Sequence, residues 1–278
     1  MNTHSINIKG KLIHIETPLI MGILNVTPDS FHTDSRIPSV EIALKKAEKM
    51  LLDGADILDI GGYSSRPGAE HISAKEELDR VEHVIKAISV NFPDAIISTD
   101  TFRSSVAEKC LEAGAHIIND ISGGDADEDM ASVIKNARIP YIIMHMKGSP
   151  QTMQKNPTYE NVTLEVFKSL SIKVNNLRKL GISDIIVDPG FGFGKTMEHN
   201  FKLLHDLDYF KSLDCPILVG LSRKSMIYKT LLTTAEEALN GTSVLNTIAT
   251  QKGAHILRVH DVKEAKELVK LYSLTNGA

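Results

Sequence analysis

The chain has 278 residues, enough to bury a large core, and its 42% hydrophobic and 24% charged residues are typical of a globular protein. Lys and Arg total 31 against 35 for Asp and Glu, so the net charge of −4 lacks the basic excess of a general nucleic-acid binder. No run approaches the ~18 apolar residues of a membrane span, and the first residues lack the apolar region of a signal peptide. We therefore expect a cytoplasmic protein with no nucleic-acid or membrane partner.

The first predicted element is a small hairpin, because residues 6–16 ("INIKGKLIHIE") alternate around Lys9-Gly10-Lys11. Short apolar runs follow, each bounded by turn residues. They cover residues 19–25, 56–60, 95–100, 116–120, 141–146, 184–188, 216–222 and 255–260. These eight runs are continuous rather than alternating, which is typical of parallel strands buried on both faces.

Helical patterns separate the predicted strands. One opens with a capping box at Ser73 and Glu76, and the last has a similar start at Asp261 and Glu264. Left-handed helix ends are predicted at four glycines, Gly54, Gly114, Gly181 and Gly253. Eight βα units favour a (β/α)8 TIM barrel over a doubly wound open sheet. No linker is visible, so we expect residues 1–278 to form one barrel domain whose bottom is plugged by the hairpin.

Polar residues stand where the predicted strands end, which is the end of a barrel that carries the chemistry. They are Asn25, Asp59, Arg66, Asp100, Asn119, Asp120, His145, Asp188, Arg223, Lys224, Arg258 and His260. Cations follow the last two strands, where barrels often hold phosphate. The oxygens of Asp100, Asn119 and Asp188 suit a planar heterocycle with N–H donors. We therefore expect an anion pocket facing a heterocycle pocket.

Several of these residues have a second interpretation. Asn25 suits Mg²⁺ as an amide ligand, but it also suits an ordinary Asx turn. His145 is read as a core or rim histidine. Cys110 and Cys215 have no metal-like spacing and are read as reduced, structural thiols.

The stretch "VDPGFGFGKT" (187–196) is superficially similar to a phosphate-binding loop. A P-loop has four residues between its first glycine and the Gly-Lys pair, and the position that should be that glycine is Pro189. The dinucleotide fingerprint needs two residues between its second and third glycines, whereas here the glycines are evenly spaced by one. Neither motif is present.

Seen together, these segments resemble the dihydropteroate synthases of the folate pathway. The matching stretches are "MGILNVTPDSF", "GADILDIGGYSSRPGAE", "STDTF", "GAHIINDISGG", "MHMKGSPQTMQ", "DPGFGFGKT", "GLSRKSMI" and "NGTSVLNTIATQKGAHILRVHDV". They occur in family order from near residue 20 to the last helix. As an ordered set they are highly specific.

The resemblance implies a transferase that joins 6-hydroxymethyl-7,8-dihydropterin diphosphate to 4-aminobenzoate, giving 7,8-dihydropteroate and pyrophosphate, with Mg²⁺ as cofactor. It also implies a homodimer and a sulfonamide target. Ionisation at the pterin methylene would give a conjugated cation, so no covalent nucleophile is needed, and the rim shows no obvious nucleophile–base pair.

The resemblance also assigns site residues. The pterin would be bound by Asp100, Asn119, Asp188, Lys224 and Arg258. The diphosphate would be bound by Asn25, Ser65, Arg258 and His260, with Asn25 also ligating the metal. The aminobenzoate would be bound by Phe31, Ser65, Pro67, Phe193 and Ser225. The catalytic set would be Lys224, Arg258, His260 and Arg66. In this picture residues 187–196 form a wall of the pterin site, with glycines that let the backbone approach a flat ligand.

Two stretches depart from the family pattern. Ser65 stands where the family usually has Thr, and "HTDS" (32–35) replaces the common Ser-Asp-Gly-Gly. Two rival interpretations stay open, and these altered loops bear on the second of them. One is a pterin-barrel methyltransferase that acts with a corrinoid and methyltetrahydrofolate, and the other is a catalytically silent pterin-binding homologue.

Overall fold

The computed structural model describes residues 4–26, 36–64, 70–148, 153 and 157–275, with only the backbone given for 36–39. Its strands are β1 His4–Ile8, β2 Lys11–Ile15, β3 Leu19–Asn25, β4 Ile57–Gly61, β5 Ile96–Asp100, β6 Ile117–Asp120, β7 Tyr141–Met144, β8 Ile185–Asp188, β9 Leu218–Val219 and β10 Ile256–Val259. Its α-helices are α1 Arg36–Leu52, α2 Ala74–Asn91, α3 Ser104–Ala113, α4 Met130–Ala137, α5 Val162–Lys179, α6 Met197–His205, α7 Ser225–Tyr228, α8 Leu239–Gln251 and α9 Val262–Thr275. A 3₁₀ helix spans Leu207–Leu213.

Strands β3 to β10 form one parallel barrel, and the predicted (β/α)8 fold is confirmed. Successive strands from β3 to β8 are neighbours, and β10 pairs with both β9 and β3. A bridge between Val187 and Ile217 closes the ring between β8 and β9. Because an open doubly wound sheet has two free edges, this closure excludes it.

The strand bounds agree with the predicted runs except at β9. The sequence predicted a strand over 216–222, but the ladder holds only Leu218–Val219 and the single bridge at Ile217. Pro216 lacks the N–H that a ladder needs, and its carbonyl accepts from Val187 instead. β9 is therefore the weakest point of the ring.

The N-terminal hairpin closes the bottom of the barrel, as predicted. Ile6, Ile8 and Ile15 are at most 2% exposed. They pack on apolar residues from the first half of seven barrel strands: Met21, Ile57, Ile117, Ile142, Ile186, Leu218 and Ile256. Lys9 Nζ also donates to Pro93 O at 2.8 Å. The lower half of the barrel interior is thus lined by buried apolar side chains.

This arrangement predicts that the hairpin contributes stability rather than catalysis. We expect Ile8→Ala to lower the free energy of unfolding by about 2–4 kcal/mol, because it opens a cavity under the barrel. Leu12→Ala on the same hairpin is the control, since Leu12 is 61% exposed. Denaturant unfolding with parallel kinetics checks this, and a changed KM with unchanged stability would contradict it.

Helix ends follow the local sequence signals in most cases. Gly54, Gly114, Gly181 and Gly253 all have positive φ, between 86° and 115°, as predicted. Ser73 Oγ accepts from Glu76 N at 3.2 Å, but the Glu76 carboxylate pairs with Arg80.

The last helix begins at Val262, directly after Asp261 as predicted, but the carboxylate of Asp261 accepts hydrogen bonds from Arg223. Cys110 and Cys215 are free and buried, and burial raises the pKa of both thiols, to about 12 and about 11.

Across the part of the chain that the structure describes, no helix has the length and apolarity to cross a membrane.

Candidate active site

The barrel interior changes from apolar to polar along each strand. Residues two positions apart on a strand face the same side. Each isoleucine that packs on the hairpin is therefore followed, two positions later, by another residue that faces the interior. These pairs are Ile57 and Asp59, Ile117 and Asn119, Ile186 and Asp188, and Ile256 and Arg258. The upper interior is therefore a polar mouth at the carboxyl ends of the strands.

One row of this mouth is set by strand register. Asn25 pairs with Gly61, Gly61 with Asp100, and Asp100 with Asn119. Gly61 adds no side chain to the row, and a Cβ there would lie 3.3 Å from Asp100 Cβ and 3.8 Å from Asn25 Oδ1. The glycine thus keeps open the space between the amide of Asn25 and the carboxylate of Asp100.

Arg258 links two carboxylates in the mouth. Its Nε donates to Asp59 Oδ2 at 2.6 Å and its Nη2 to Asp100 Oδ2 at 2.7 Å. Burial raises the pKa of Asp100 to about 7; Arg258 opposes this rise and the charge of Asp59 adds to it. One guanidinium between two carboxylates leaves a net negative charge.

Arg258, which the sequence analysis assigned to the anion side, contacts the carboxylate of Asp100 on the heterocycle side directly. β10 lies beside β3, and β4 is the next strand in the ring, so the long arginine side chain reaches the carboxylates across the interior. The cation and the acceptor groups form one connected cluster.

A second cluster lies at the end of β8. Asp188 is 7% exposed, and its Oδ1 accepts from Gly190 N at 2.7 Å. Burial raises the pKa of Asp188, and Lys224 works against that rise. Burial lowers the pKa of Lys224 to about 8, although Asp188 raises it. Lys224 Nζ donates to Phe191 O and lies 5.0 Å from the ring centroid of Phe193.

Lys195, in the Gly-Lys-Thr of residues 187–196, points into the protein. Only 3% of the residue is exposed, and its Nζ donates to Gly190 O at 2.8 Å and Phe193 O at 3.1 Å. It also contacts His145 Nδ1 at 3.0 Å. Burial lowers the pKa of Lys195 to about 7 and that of His145 to about 3. The lysine ties the turn after β8 to the end of β7, which agrees with the rejection of a P-loop.

Two glycines of this turn lie against the backbone of a neighbouring loop. A Cβ on Gly190 would lie 2.0 Å from His145 O, and one on Gly194 would lie 2.7 Å from Lys147 O. Only glycine therefore fits where the backbone approaches the neighbouring loop at these two positions. Of these three glycines, Gly192 lies nearest Lys224, and a Cβ on it would lie 3.3 Å from Lys224 Cδ.

This crowding predicts the effect of a single methyl group. Gly190 has φ +73° and Gly181 has φ +86°, but a Cβ on Gly181 would meet nothing within 4 Å. We expect Gly181→Ala to cost about 1–2 kcal/mol for the left-handed backbone alone. Gly190→Ala carries that cost plus the overlap with His145 O and should lose a further ~2 kcal/mol with reduced activity. Equal unfolding free energies for the two variants would show that the overlap is relieved at no cost.

The other predicted residues are placed as follows. His260 follows β10, is exposed, and its Nδ1 lies 3.0 Å from Ser222 Oγ. Ser225 is exposed at the start of α7. Arg223 is not in the mouth, because its guanidinium bonds Asp261 and the carbonyls of residues 235 and 236. Phe31, Ser65, Arg66 and Pro67 lie outside the described residues, as does the altered stretch 32–35.

Sequence reasoning gave no individual role to three residues in or behind the mouth. Asp59 is completely buried and bonds both Arg258 and Asn119. The sequence feature that could have indicated this role is a carboxylate inside an otherwise apolar strand. Lys195 received no role once the P-loop motif over 187–196 was rejected. Ser222 is 5% exposed and also accepts from His260 N, so it holds that imidazole in place. This Ser–His contact, which the sequence did not show, is a brace rather than an exposed nucleophile.

A closed βα barrel with a polar, charged mouth at the carboxyl ends of its strands has the architecture of a barrel enzyme. The family described as "Pterin binding enzyme" matches residues 21–260. The dihydropteroate synthase of Haemophilus influenzae is 43% identical over 271 residues, covering 97% of this chain and 98% of that protein.

Solved structures agree with this match. The dihydropteroate synthase of Yersinia pestis, in complex with a sulfonamide drug, has a TM-score of 0.92 at 37% identity and covers 99% of this chain and 100% of its own. The Xanthomonas albilineans enzyme with 4-aminobenzoic acid has a TM-score of 0.92 at 34% identity, with 100% of both chains covered. The chain belongs to the pterin-binding enzymes and, within them, to the dihydropteroate synthases.

Proposed function

We propose that this protein condenses 6-hydroxymethyl-7,8-dihydropterin diphosphate with 4-aminobenzoate to give 7,8-dihydropteroate and pyrophosphate. The observation that carries the proposal is the convergence of Asp100, Asn119 and Asp188 with Arg258 and Lys224 in one barrel mouth. The rival corrinoid-dependent methyltransferase is not favoured, because the relatives described above are synthases over nearly their whole length.

The pterin ring would lie among the acceptor groups of the mouth. Asp100, Asn119 and Asp188 offer oxygens to its N–H edge, and Lys224 and Arg258 offer donors to its carbonyl and ring nitrogens. Burial makes these groups discriminating, since a ligand that leaves one of them unpaired loses about 1–3 kcal/mol. Arg258 would then exchange part of its bonding to Asp100 for contact with the ligand.

The diphosphate would lie towards Asn25, Arg258 and His260, with Ser65 contributed by the loop after β4. The described residues contain no cluster of three or more His, Cys, Asp or Glu side chains that could cage a metal. This donor set suits Mg²⁺, which keeps several waters and uses few protein oxygens besides substrate phosphates. The room beside Gly61 lets the Asn25 oxygen serve as that ligand. When bound, Mg²⁺ would neutralise charge on the departing pyrophosphate.

The aminobenzoate would lie over the turn after β8. Phe193 is half-buried there with Lys224 near its ring, and Ser225 follows at the start of α7. Phe31, Ser65, Arg66 and Pro67 would complete this side, with Arg66 in the catalytic set. These assignments place the amine beside the pterin methylene.

The chemistry asked of the chain is positioning and charge stabilisation. As diphosphate leaves, Lys224, Arg258 and His260 supply positive charge and donors, and the amine attacks the methylene held in line with it. The proton released from the amine nitrogen passes to solvent or to the departing phosphate. No covalent intermediate on the protein is required.

Turnover by purified protein tests the proposal. Pyrophosphate and dihydropteroate should form only when pterin diphosphate, 4-aminobenzoate and Mg²⁺ are all present. Chelation of the metal should stop the reaction, and restored Mg²⁺ should restart it. Binding of the pterin without product under complete conditions would instead identify a silent homologue.

We also infer that the protein is a cytoplasmic homodimer. Exposed apolar side chains occur on α6, in the α7–α8 connection and on α8; they are Met197, Phe201, Leu231, Leu232 and Val244. Met197 Sδ lies 3.1 Å from Thr230 Oγ1, which brings α6 and the α7–α8 connection together. Light scattering should give twice the chain mass, and Leu232→Glu should give the monomer. A wild-type monomer would refute the inference.

A further inference from the structure

Asp59 is the most deeply placed charged group of the mouth and lies outside the proposed substrate contacts. It is completely buried on β4, and in register it pairs with Ser98, two positions below Asp100. A buried carboxylate is costly unless it is paired and hydrogen-bonded. Its two hydrogen-bond partners therefore indicate what the carboxylate does in the mouth.

Both described hydrogen bonds of Asp59 end on the same oxygen. Oδ2 accepts from Arg258 Nε at 2.6 Å and from Asn119 Nδ2 at 3.1 Å. Oδ1 is buried and has no hydrogen-bond partner among the described residues. The hydrogen bonding of Asp59 is thus directed at the two donors on Arg258 and Asn119.

The bond to Asn119 has a chemical consequence for the ligand. A carboxylate can only accept, so it selects the amide orientation in which Nδ2 faces Asp59. The amide oxygen Oδ1 is then the group left for the mouth. In the opposite orientation, the Nδ2 of Asn119 would face the N–H edge of a pterin. Two hydrogen-bond donors would then face each other, and no hydrogen bond could form between them.

We propose that Asp59 is a positioning residue that determines pterin specificity by holding the amide of Asn119 with its oxygen towards the ligand. This rests on the proposed function, because it assumes that Asn119 contacts the pterin. The same carboxylate also fixes the Nε side of Arg258, which leaves Nη2 directed at Asp100.

The test separates the acceptor of Asp59 from its charge. The probe is 6-hydroxymethylpterin, which lacks the diphosphate, and its Kd is measured by calorimetry on the full chain. Asp59→Leu removes the acceptor and should weaken binding by at least ~30-fold. Asp59→Asn keeps an acceptor without the charge and should stay within about threefold of wild type.

A second substitution supplies the rescue. The double variant combines Asp59→Leu with Asn119→Asp. Both oxygens of the carboxylate at position 119 accept hydrogen bonds, so no partner is needed to orient it. Pterin binding should therefore recover at least ~10-fold relative to Asp59→Leu alone. Asn119→Asp alone should bind weakly, because it sets two carboxylates 3 Å apart without a proton donor between them. Ser98→Ala is the matched control, because Ser98 is the register partner of Asp59 on β5 and its buried Oγ has no described hydrogen-bond partner. This variant should bind the pterin as wild type does.

The outcomes are distinct. Failure of wild type to bind the pterin removes the proposed function. With wild-type binding intact, the inference is overturned if Asp59→Leu stays within threefold, if the double variant shows no recovery, or if Asp59→Asn loses as much as Asp59→Leu. Thermal unfolding of each variant confirms folding, and the recovery of binding keeps the test valid if Asp59→Leu alone is unstable.

Discussion

Replacing Asp188 by alanine is expected to lower kcat/KM by at least ~10³, because a site built to hydrogen-bond an N–H edge loses that much when the bond is missing. The carboxylate is 7% exposed at the end of β8, and one of its oxygens is anchored by Gly190 N. Steady-state kinetics with pterin diphosphate as the varied substrate measures the effect. A loss below tenfold would mean that the pterin lies elsewhere.

The matched control for Asp188 lies at the opposite end of the same strand. Asp184 precedes β8 at the bottom of the barrel, where its Oδ1 accepts from Asn7 N at 2.9 Å. Asp184→Ala should leave kcat/KM unchanged and cost about 1 kcal/mol of stability through the hairpin. The pair thus separates loss of a site group from loss of a strand-end carboxylate.

The second large effect is expected for Arg258→Gln. This change removes the cation shared by Asp59 and Asp100 and, on the proposed function, a donor to the departing diphosphate. We expect kcat/KM to fall about 10²–10³-fold, as for loss of one charge-stabilising donor. The Arg258 side chain is 22% exposed, so the stability cost should be below the ~3–5 kcal/mol of a fully buried pair.

The stability cost of Arg258→Gln should depend on pH. Burial already raises the pKa of Asp100 to about 7, and Arg258 is the group that lowers it. Without Arg258 the folded-state pKa rises further above the unfolded value of ~3.9. The native state then keeps a proton that the unfolded state has released, so stability falls as pH rises from about 4 through the folded-state pKa.

The destabilisation by Arg258→Gln should therefore be larger at pH 8 than at pH 5, measured by denaturant unfolding at both. Lys266→Gln is the control, because Lys266 pairs with Asp56 at 3.2 Å and is 45% exposed. That variant should cost about 0–1 kcal/mol and leave activity intact. Destabilisation by Arg258→Gln that is equal at the two pH values would show that Asp100 does not carry the proton.

Much of the fold could be predicted because its signals are local. Continuous apolar runs identified the parallel strands, and glycines such as Gly114 marked left-handed helix ends. The strand-end rule then selected Asp100, Asn119 and Asp188, which the structure places in one mouth. The sequence predicted β9 as a longer strand, over 216–222, than the Leu218–Val219 that the structure has, and it did not show that Asp261 pairs with Arg223.

The connections within the mouth could not be predicted. Arg258 and Asp59 are 199 positions apart, and their contact depends on β10 closing the ring beside β3. Arg223 and Arg258 are both rim cations in sequence, yet one braces α9 through Asp261 and the other enters the interior. Side-chain direction at a strand end depends on the neighbours that the ring brings within reach.

Residues 187–196 show the same division. The amino-acid order by itself determined that this stretch is a strand end followed by a glycine turn, and that it is neither a P-loop nor a dinucleotide loop. Only the tertiary structure decided what the turn touches, because Gly190 and Lys195 are positioned by His145 from the neighbouring strand end. Backbone preference acts between near neighbours in the chain, whereas burial and hydrogen bonding are settled by groups that meet only when the barrel closes.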